Sequence, residues 1–188
     1  MTARQKKKII NLVLSLFVLL AGTLIARRAE VQAPIALQAG TYRVSKFDDG
    51  DTISVDMNGK DEKIRFIGVD TPETHDPRKA VQCFGEAAAD FTKNLIGNNP
   101  VRLEADPTNT NRDRYNRLLR YVYLPDGTLV NGEIIKQGYG FAYLSFPVQK
   151  LEEFKQYQKE AREANRGLWG GCEPIKNKYG GYTSNDAN

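Results

Sequence analysis

Histidine occurs once in this 188-residue chain, at His75, and cysteine twice, at Cys83 and Cys172. His75 lies in a polar stretch with two prolines nearby, and no catalytic role is expected for it. No cysteine stands near the apolar N-terminal run, which excludes a lipid anchor at that point. No internal repeat is present. An excess of positive charge is also missing once the ends are separated. Six of the 27 basic residues but only one of the 23 acidic ones fall within 1–32, leaving 21 basic against 22 acidic residues. The net charge of +4 therefore belongs to the N-terminal segment. Global charge gives no argument for a polyanionic partner, and any such argument must rest on local clusters.

What the N-terminus does have is the pattern of a membrane-targeting segment. Arg4, Lys6, Lys7 and Lys8 precede an apolar run over 9–26, and Arg27 and Arg28 close it. A run of this length is near the lower limit for crossing a bilayer, about 17–25 residues. Residues 1–32 read as a signal peptide or signal anchor and 33–40 as a linker, whose small residues leave cleavage open. The charge bias keeps the N-terminus inside. The rest is then extracytoplasmic: secreted, or anchored to the cell membrane through residues 9–26 if the segment is uncleaved. In that compartment Cys83 and Cys172 favour a disulfide.

The remainder, 41–173, is long enough for one domain with a full core. Strand periodicity is expected over 41–47, 52–57, 63–69, 101–105 and 118–124. Asn58-Gly59 marks a hairpin turn between the second and third of these. Helices are expected over 86–96, 131–137 and 149–165, the last with a stripe of Leu151, Phe154, Tyr157, Ala161 and Ala164. Residues 174–188 read as a flexible polar tail. The fold class is α+β, mainly β: a small closed barrel with three peripheral helices.

Two acidic clusters flank one end of the predicted hairpin, Asp48-Asp49-Gly50-Asp51 and Asp70-Thr71-Pro72-Glu73. Carboxylates facing one another there repel unless a cation bridges them. Oxygen donors suit Ca²⁺ or Mg²⁺ better than zinc. Surface acids usually face water, so spacing alone leaves a metal site and a solvated turn open. Arg65 lies within the hairpin, and Arg112, Arg114, Arg117 and Arg120 surround a polar loop and the strand after it. Carboxylates that hold a cation, with arginines that offer planar two-point donors, are the parts phosphodiester hydrolysis uses. For each arginine alone, an ion pair or a solvated face is the simpler account.

Residues 41–171 resemble the staphylococcal nuclease family. The matching strings are Asp49-Gly50-Asp51-Thr52, Arg65, Val69-Asp70-Thr71-Pro72-Glu73-Thr74, Asp113-Arg114-Tyr115-Asn116-Arg117-Leu118 and Gly167-Leu168-Trp169. The resemblance implies a five-stranded OB-fold barrel with three helices. It implies a Ca²⁺ site made by Asp51, Asp70 and the carbonyl of Thr71. It also implies Glu73 acting on the attacking water, and Arg65 and Arg117 stabilising the phosphate in the transition state. Arg114, Tyr115 and Tyr143 would contact substrate. The implied activity is calcium-dependent hydrolysis of DNA and RNA by a monomer, with single strands preferred and 3′-phosphate ends left. Ser145 stands where the family has a second tyrosine, a lost stacking contact worth about 1–3 kcal/mol per base. Trp169 is expected to be a packing anchor, and Arg78 and Lys79 solvated loop charges. The alternative is a non-catalytic OB-fold module that grips single-stranded nucleic acid. A calcium-binding structural domain is a third reading, although it has no need of Arg65, Glu73 and Arg117 together.

Overall fold

Ile53, Val55 and Met57 alternate with polar residues, and this alternation builds the first hairpin. In the computed structural model, which describes residues 4–5, 40–74, 80–178 and 180–186, β2 (Thr52–Met57) and β3 (Lys60–Phe66) pair antiparallel. Asn58 and Gly59 join them with φ of 57° and 82°, the doubly positive turn that matches strand twist. Ile53, Val55, Ile64 and Phe66 point inward and are buried.

β1 (Gly40–Asp49) lies along β2, with two register shifts that bend it. β5 (Val101–Glu104) pairs with β1 on one side and with β6 (Leu118–Tyr123) on the other. A parallel pairing of β3 with β6 closes the barrel in the order β1-β2-β3-β6-β5. This is the expected five-stranded barrel. Around it lie α1 (Gly85–Ile96), α2 (Val130–Lys136), α3 (Leu151–Glu163) and a single-turn α4 (Leu168–Gly171), one helix more than expected. On α3 the buried side is Phe154, Gln158 and Ala161, whereas Ala164 is exposed. Gln158 enters the stripe because its Oε1 accepts the Ala142 N–H at 2.9 Å.

The expected strand 63–69 is broken. β3 stops at Phe66, and the chain turns at Gly68, φ 72°. A Cβ there would sit 2.6 Å from the Phe154 ring, so only glycine fits. β4 (Val69–Asp70) then pairs with β7 (Phe141–Ala142) outside the barrel. Asn131, fully buried, holds the turn: its Nδ2 donates to the carbonyls of Ile67 and Arg120, and its Oδ1 accepts the Val122 N–H. The break aims Asp70 back toward the end of the hairpin.

The segment from residue 174, read from the sequence as a flexible polar tail, carries regular structure in its described part. β8 (Ile175–Lys176) and β9 (Tyr182–Thr183) form a small antiparallel pair. The Tyr182 ring packs edge-on to Trp169 at 4.9 Å and stacks near Phe141 at 6.4 Å. Ser184 is 4% exposed. Among the segment's anchoring side chains are one aromatic and one serine, too few residues to register as an apolar pattern. Cys83 and Cys172 form the expected disulfide, with a Cα–Cα distance of 6.1 Å.

The chain divides into two units, Met1–Leu37 and Gln38–Asn188. Apart from Arg4 and Gln5, the expected targeting segment lies outside the described residues, as do His75, Arg78 and Lys79. Among the described residues no helix is long and apolar enough to cross a membrane.

Candidate active site

Asp51 sits in the turn between β1 and β2 and is 6% exposed. Its Oδ1 accepts the Thr52 hydroxyl at 2.9 Å, and its Oδ2 accepts the Thr71 N–H at 2.9 Å. That Oδ2 also lies 3.1 Å from Nη2 of Arg65, and Asp70 Oδ1 lies 2.8 Å from the same nitrogen. The two acidic clusters therefore converge on one point, as the hairpin predicted. Arg65 is fixed from below, its Nη1 donating to the carbonyls of Phe66 and Val69 at 2.9 and 2.7 Å. Thr92 of α1 donates to the Gly50 carbonyl at 2.6 Å and pins the turn.

The donor set fits a hard cation. Asp51 and Asp70 offer oxygens on either side of one guanidinium nitrogen, and Thr71 follows directly in the chain with its hydroxyl buried and without a hydrogen-bond partner. Burial, then the nearby charges of Asp51 and Glu73, push the Asp49 carboxyl up to about 6, against the N–H of Gly50 and the hydroxyl of Thr74. Negative charge is thus in excess at this end. Among the described residues no group of three or more His, Cys, Asp or Glu side chains forms a ligand cluster. The candidate set is two carboxylates and a main-chain carbonyl.

Arg117 approaches from the other wall, on the loop before β6. Asp113 builds that loop: its Oδ1 accepts the N–H groups of Tyr115 and Arg117 at 2.9 Å, and its Oδ2 accepts Arg117 Nε at 2.7 Å. Burial pushes the Asp113 carboxyl up, but these bonds from Arg117 and Tyr115 outweigh it and hold the group below the usual carboxylate range. Arg117 Nη1 lies 3.5 Å from the Thr52 hydroxyl, which itself donates to Asp51. The arginine and the carboxylate are therefore linked through one hydroxyl. Arg114 donates to the Tyr115 hydroxyl at 2.7 Å, and the Tyr115 ring lies under both arginines.

All nine residues singled out for metal, catalysis and substrate line one open cleft: Asp51, Arg65, Asp70, Thr71, Glu73, Arg114, Tyr115, Arg117 and Tyr143. They arrive from β3, β4, three loops and the segment after β7. Asp113 carries no role in the sequence reading, yet it orients Arg117. Its signal is an acidic residue four positions ahead of an arginine in a polar turn. The solvated-face account fails for two arginines outside this set. Arg120 is fully buried, its Nη2 donating to the Asn111 side chain at 2.7 Å and its Nη1 to the Leu119 carbonyl at 2.6 Å. Arg112 pairs with Glu62 at 3.0 Å and donates to the Asn116 carbonyl at 2.7 Å, bracing the loop against β3.

A family model described as "Staphylococcal nuclease homologue" matches residues 63–171. The chain is 43% identical over 130 residues to the thermonuclease of Staphylococcus hyicus, covering 69% of this chain and 75% of that protein. It is 42% identical over 130 residues to the thermonuclease of Staphylococcus intermedius, covering 69% and 76%. It is 40% identical over 123 residues to endonuclease YncB of Bacillus subtilis, covering 64% and 57%. With the barrel, the paired acidic turns and the arginine loop in place, the chain belongs to the staphylococcal nuclease family.

Proposed function

We propose that this protein is a calcium-dependent nuclease that hydrolyses phosphodiester bonds of DNA and RNA and leaves 3′-phosphate ends. The observation that carries the reading is the shared cleft, with Asp51 and Asp70 meeting at Arg65 on one wall and Arg117 on the other. At about 1430 Å³ and open to solvent, it exceeds the roughly 300–1,000 Å³ of small-ligand pockets. That size suits a segment of polymer. Tyr115, 62% exposed, and Tyr143 offer ring faces to unpaired bases, which favours single strands.

Asp51, Asp70 and the Thr71 carbonyl are the residues that would hold Ca²⁺. Bound there, the ion supplies a Lewis acid for a phosphate oxygen and tips the cleft's six basic and six acidic side chains toward net positive. Glu73 takes or orients a proton of the attacking water. Arg65 and Arg117 donate to the equatorial oxygens as charge grows on them. Water adds to phosphorus, the P–O5′ bond breaks, and a proton ends on the 5′-oxygen, with Arg117 assisting its departure. A flexible set of carboxylate and carbonyl oxygens suits Ca²⁺ better than the smaller Mg²⁺. Purified protein should therefore degrade single-stranded DNA and RNA with Ca²⁺ and stop when excess chelator is added. Unchanged cleavage in chelator would refute the calcium dependence. Retention of the strand without cleavage, with Ca²⁺ present, would favour a binding module.

A further inference from the structure

We propose that Gln82 is a positioning residue for Glu73, and that the C-terminal segment 182–186 holds Gln82 in place. Gln82 grips both backbone groups of Glu73. Its Oε1 accepts the Glu73 N–H at 2.8 Å, and its own N–H donates to the Glu73 carbonyl at 2.9 Å. The other end of the same amide turns to the tail, Nε2 donating to the Ser184 carbonyl at 3.2 Å. A carboxamide accepts through its oxygen and donates through its nitrogen, so one side chain can bond a backbone N–H and a backbone carbonyl on two different segments. The tail is held to the same stretch by two more hydrogen bonds and by the β-bridge to which one of them belongs. The Cys83 N–H donates to the Asn185 carbonyl at 2.8 Å, the Ser184 hydroxyl donates to the Cys83 carbonyl at 2.8 Å, and Gln82 forms a β-bridge with Asp186. Cys83 is in turn tied by its disulfide to Cys172, just ahead of the tail. Gly85 completes the fit, since a Cβ there would stand 3.0 Å from the Glu73 carbonyl.

This network has a chemical consequence. Residues 182–186 lie beyond the span 63–171 that matches the family model, yet through Gln82 they brace the backbone of the residue that acts on water. A general base must stand within hydrogen-bond reach of its water, and a displacement of about 1 Å can cost about a hundredfold in rate. The tail and Gln82 thus supply part of the precision with which Glu73 meets the cleft. The inference rests on the reading of Glu73 given above.

The test is a set of double-mutant cycles on the full-length chain, measuring kcat and KM on single-stranded DNA at saturating Ca²⁺. Gln82→Met keeps the length of the side chain and removes both hydrogen bonds. Tyr182→Ala loosens the tail and leaves Gln82 intact, so it keeps the proposal open to test should Gln82→Met fail to fold. Gln82→Met should lower kcat about ten- to a hundredfold with KM changed less than about twofold, and Tyr182→Ala should act in the same way but less. In a Glu73→Gln background neither substitution should lower kcat further, because the group they position has lost its role. Losses that multiply in that background, losses confined to KM, or no loss at all would overturn the proposal. A Glu73→Gln enzyme that keeps full activity would instead overturn the reading of Glu73 itself.

Discussion

Arg117 and Arg120 stand three positions apart in one arginine-rich string, yet they live in different environments. Arg117 lines the cleft, oriented by Asp113, whereas Arg120 is fully buried beneath Asn111. Replacing a guanidinium by an ammonium removes planar two-point donation. Arg65→Lys and Arg117→Lys should each lower kcat by about 10²–10³-fold, the cost of losing one preorganised donor. Arg120→Lys should leave turnover of the folded protein within a few-fold. It should cost about 1–3 kcal/mol in stability through lost or unsatisfied buried hydrogen bonds. Steady-state kinetics and urea titration on the three variants separate the two classes. Equal small effects on turnover from all three would show that the site is wrongly assigned.

At the scale of elements, Asp106 ties the end of β5 to β6 and to the start of α3. Its carboxylate accepts from the Tyr121 hydroxyl, the Gln149 N–H and both the hydroxyl and N–H of Thr108. Burial pushes this carboxyl up, but the Thr108 and Tyr121 hydroxyls and the backbone donors outweigh it and hold it below its ordinary value. A group depressed in the folded state contributes stability that is complete above its unfolded pKa of about 3.9 and is lost as pH falls through the folded value. Asp106→Asn should therefore weaken the fold at neutral pH by about 2–3 kcal/mol, since bonds to a charged acceptor are worth about 1.5–3 each. It should also flatten the acid limb of the stability curve. Urea unfolding at neutral pH and near pH 3 checks both, and an unchanged acid limb would remove Asp106 from the account. The elements themselves were legible where the signal is local. Asn58-Gly59 announces its turn, and β2 announces its alternation. The end of β3 was not legible, because Ile67 is apolar and continues the strand pattern. Only the close approach of Phe154 and the grip of Asn131 reveal why the chain turns at Gly68.

For the whole molecule, the disulfide and the proposed topology make separate predictions. Cys83 and Cys172 are 89 positions apart. In the loop-entropy account a closure of this length stabilises by about 4–5 kcal/mol. The paired Cys83→Ser and Cys172→Ser protein should lose up to that amount in a denaturant titration, and an unchanged midpoint would show that the bridge adds nothing. If the catalytic domain faces out of the cytoplasm, as we propose from the basic residues ahead of the apolar run, protease added to intact cells should degrade an anchored form. Protection until lysis would refute the outward topology. N-terminal sequencing of the mature protein then distinguishes secretion, with a start near residues 34–41, from anchoring, with the original N-terminus retained.

The sequence by itself determined the chemistry on offer. Asp51, Asp70, Thr71 and Glu73 fall at one end of a hairpin whose turn and alternation are written locally, and their spacing survives folding. Arg65 and Arg117 are recognisable through strings whose residue types are specific together. What only the tertiary structure decided is which polar groups face solvent and which face each other. Arg120 is inside because the Asn111 side chain and the Leu119 carbonyl are there to receive its guanidinium, and membership of an arginine-rich string does not announce that pairing. The tail is docked because Tyr182 meets Trp169 beyond the last helix turn and Ser184 meets Cys83 across a separation of 101 positions. Contacts of such separation leave no periodicity in the sequence, since each depends on one side chain finding a partner that the closed barrel brings within reach.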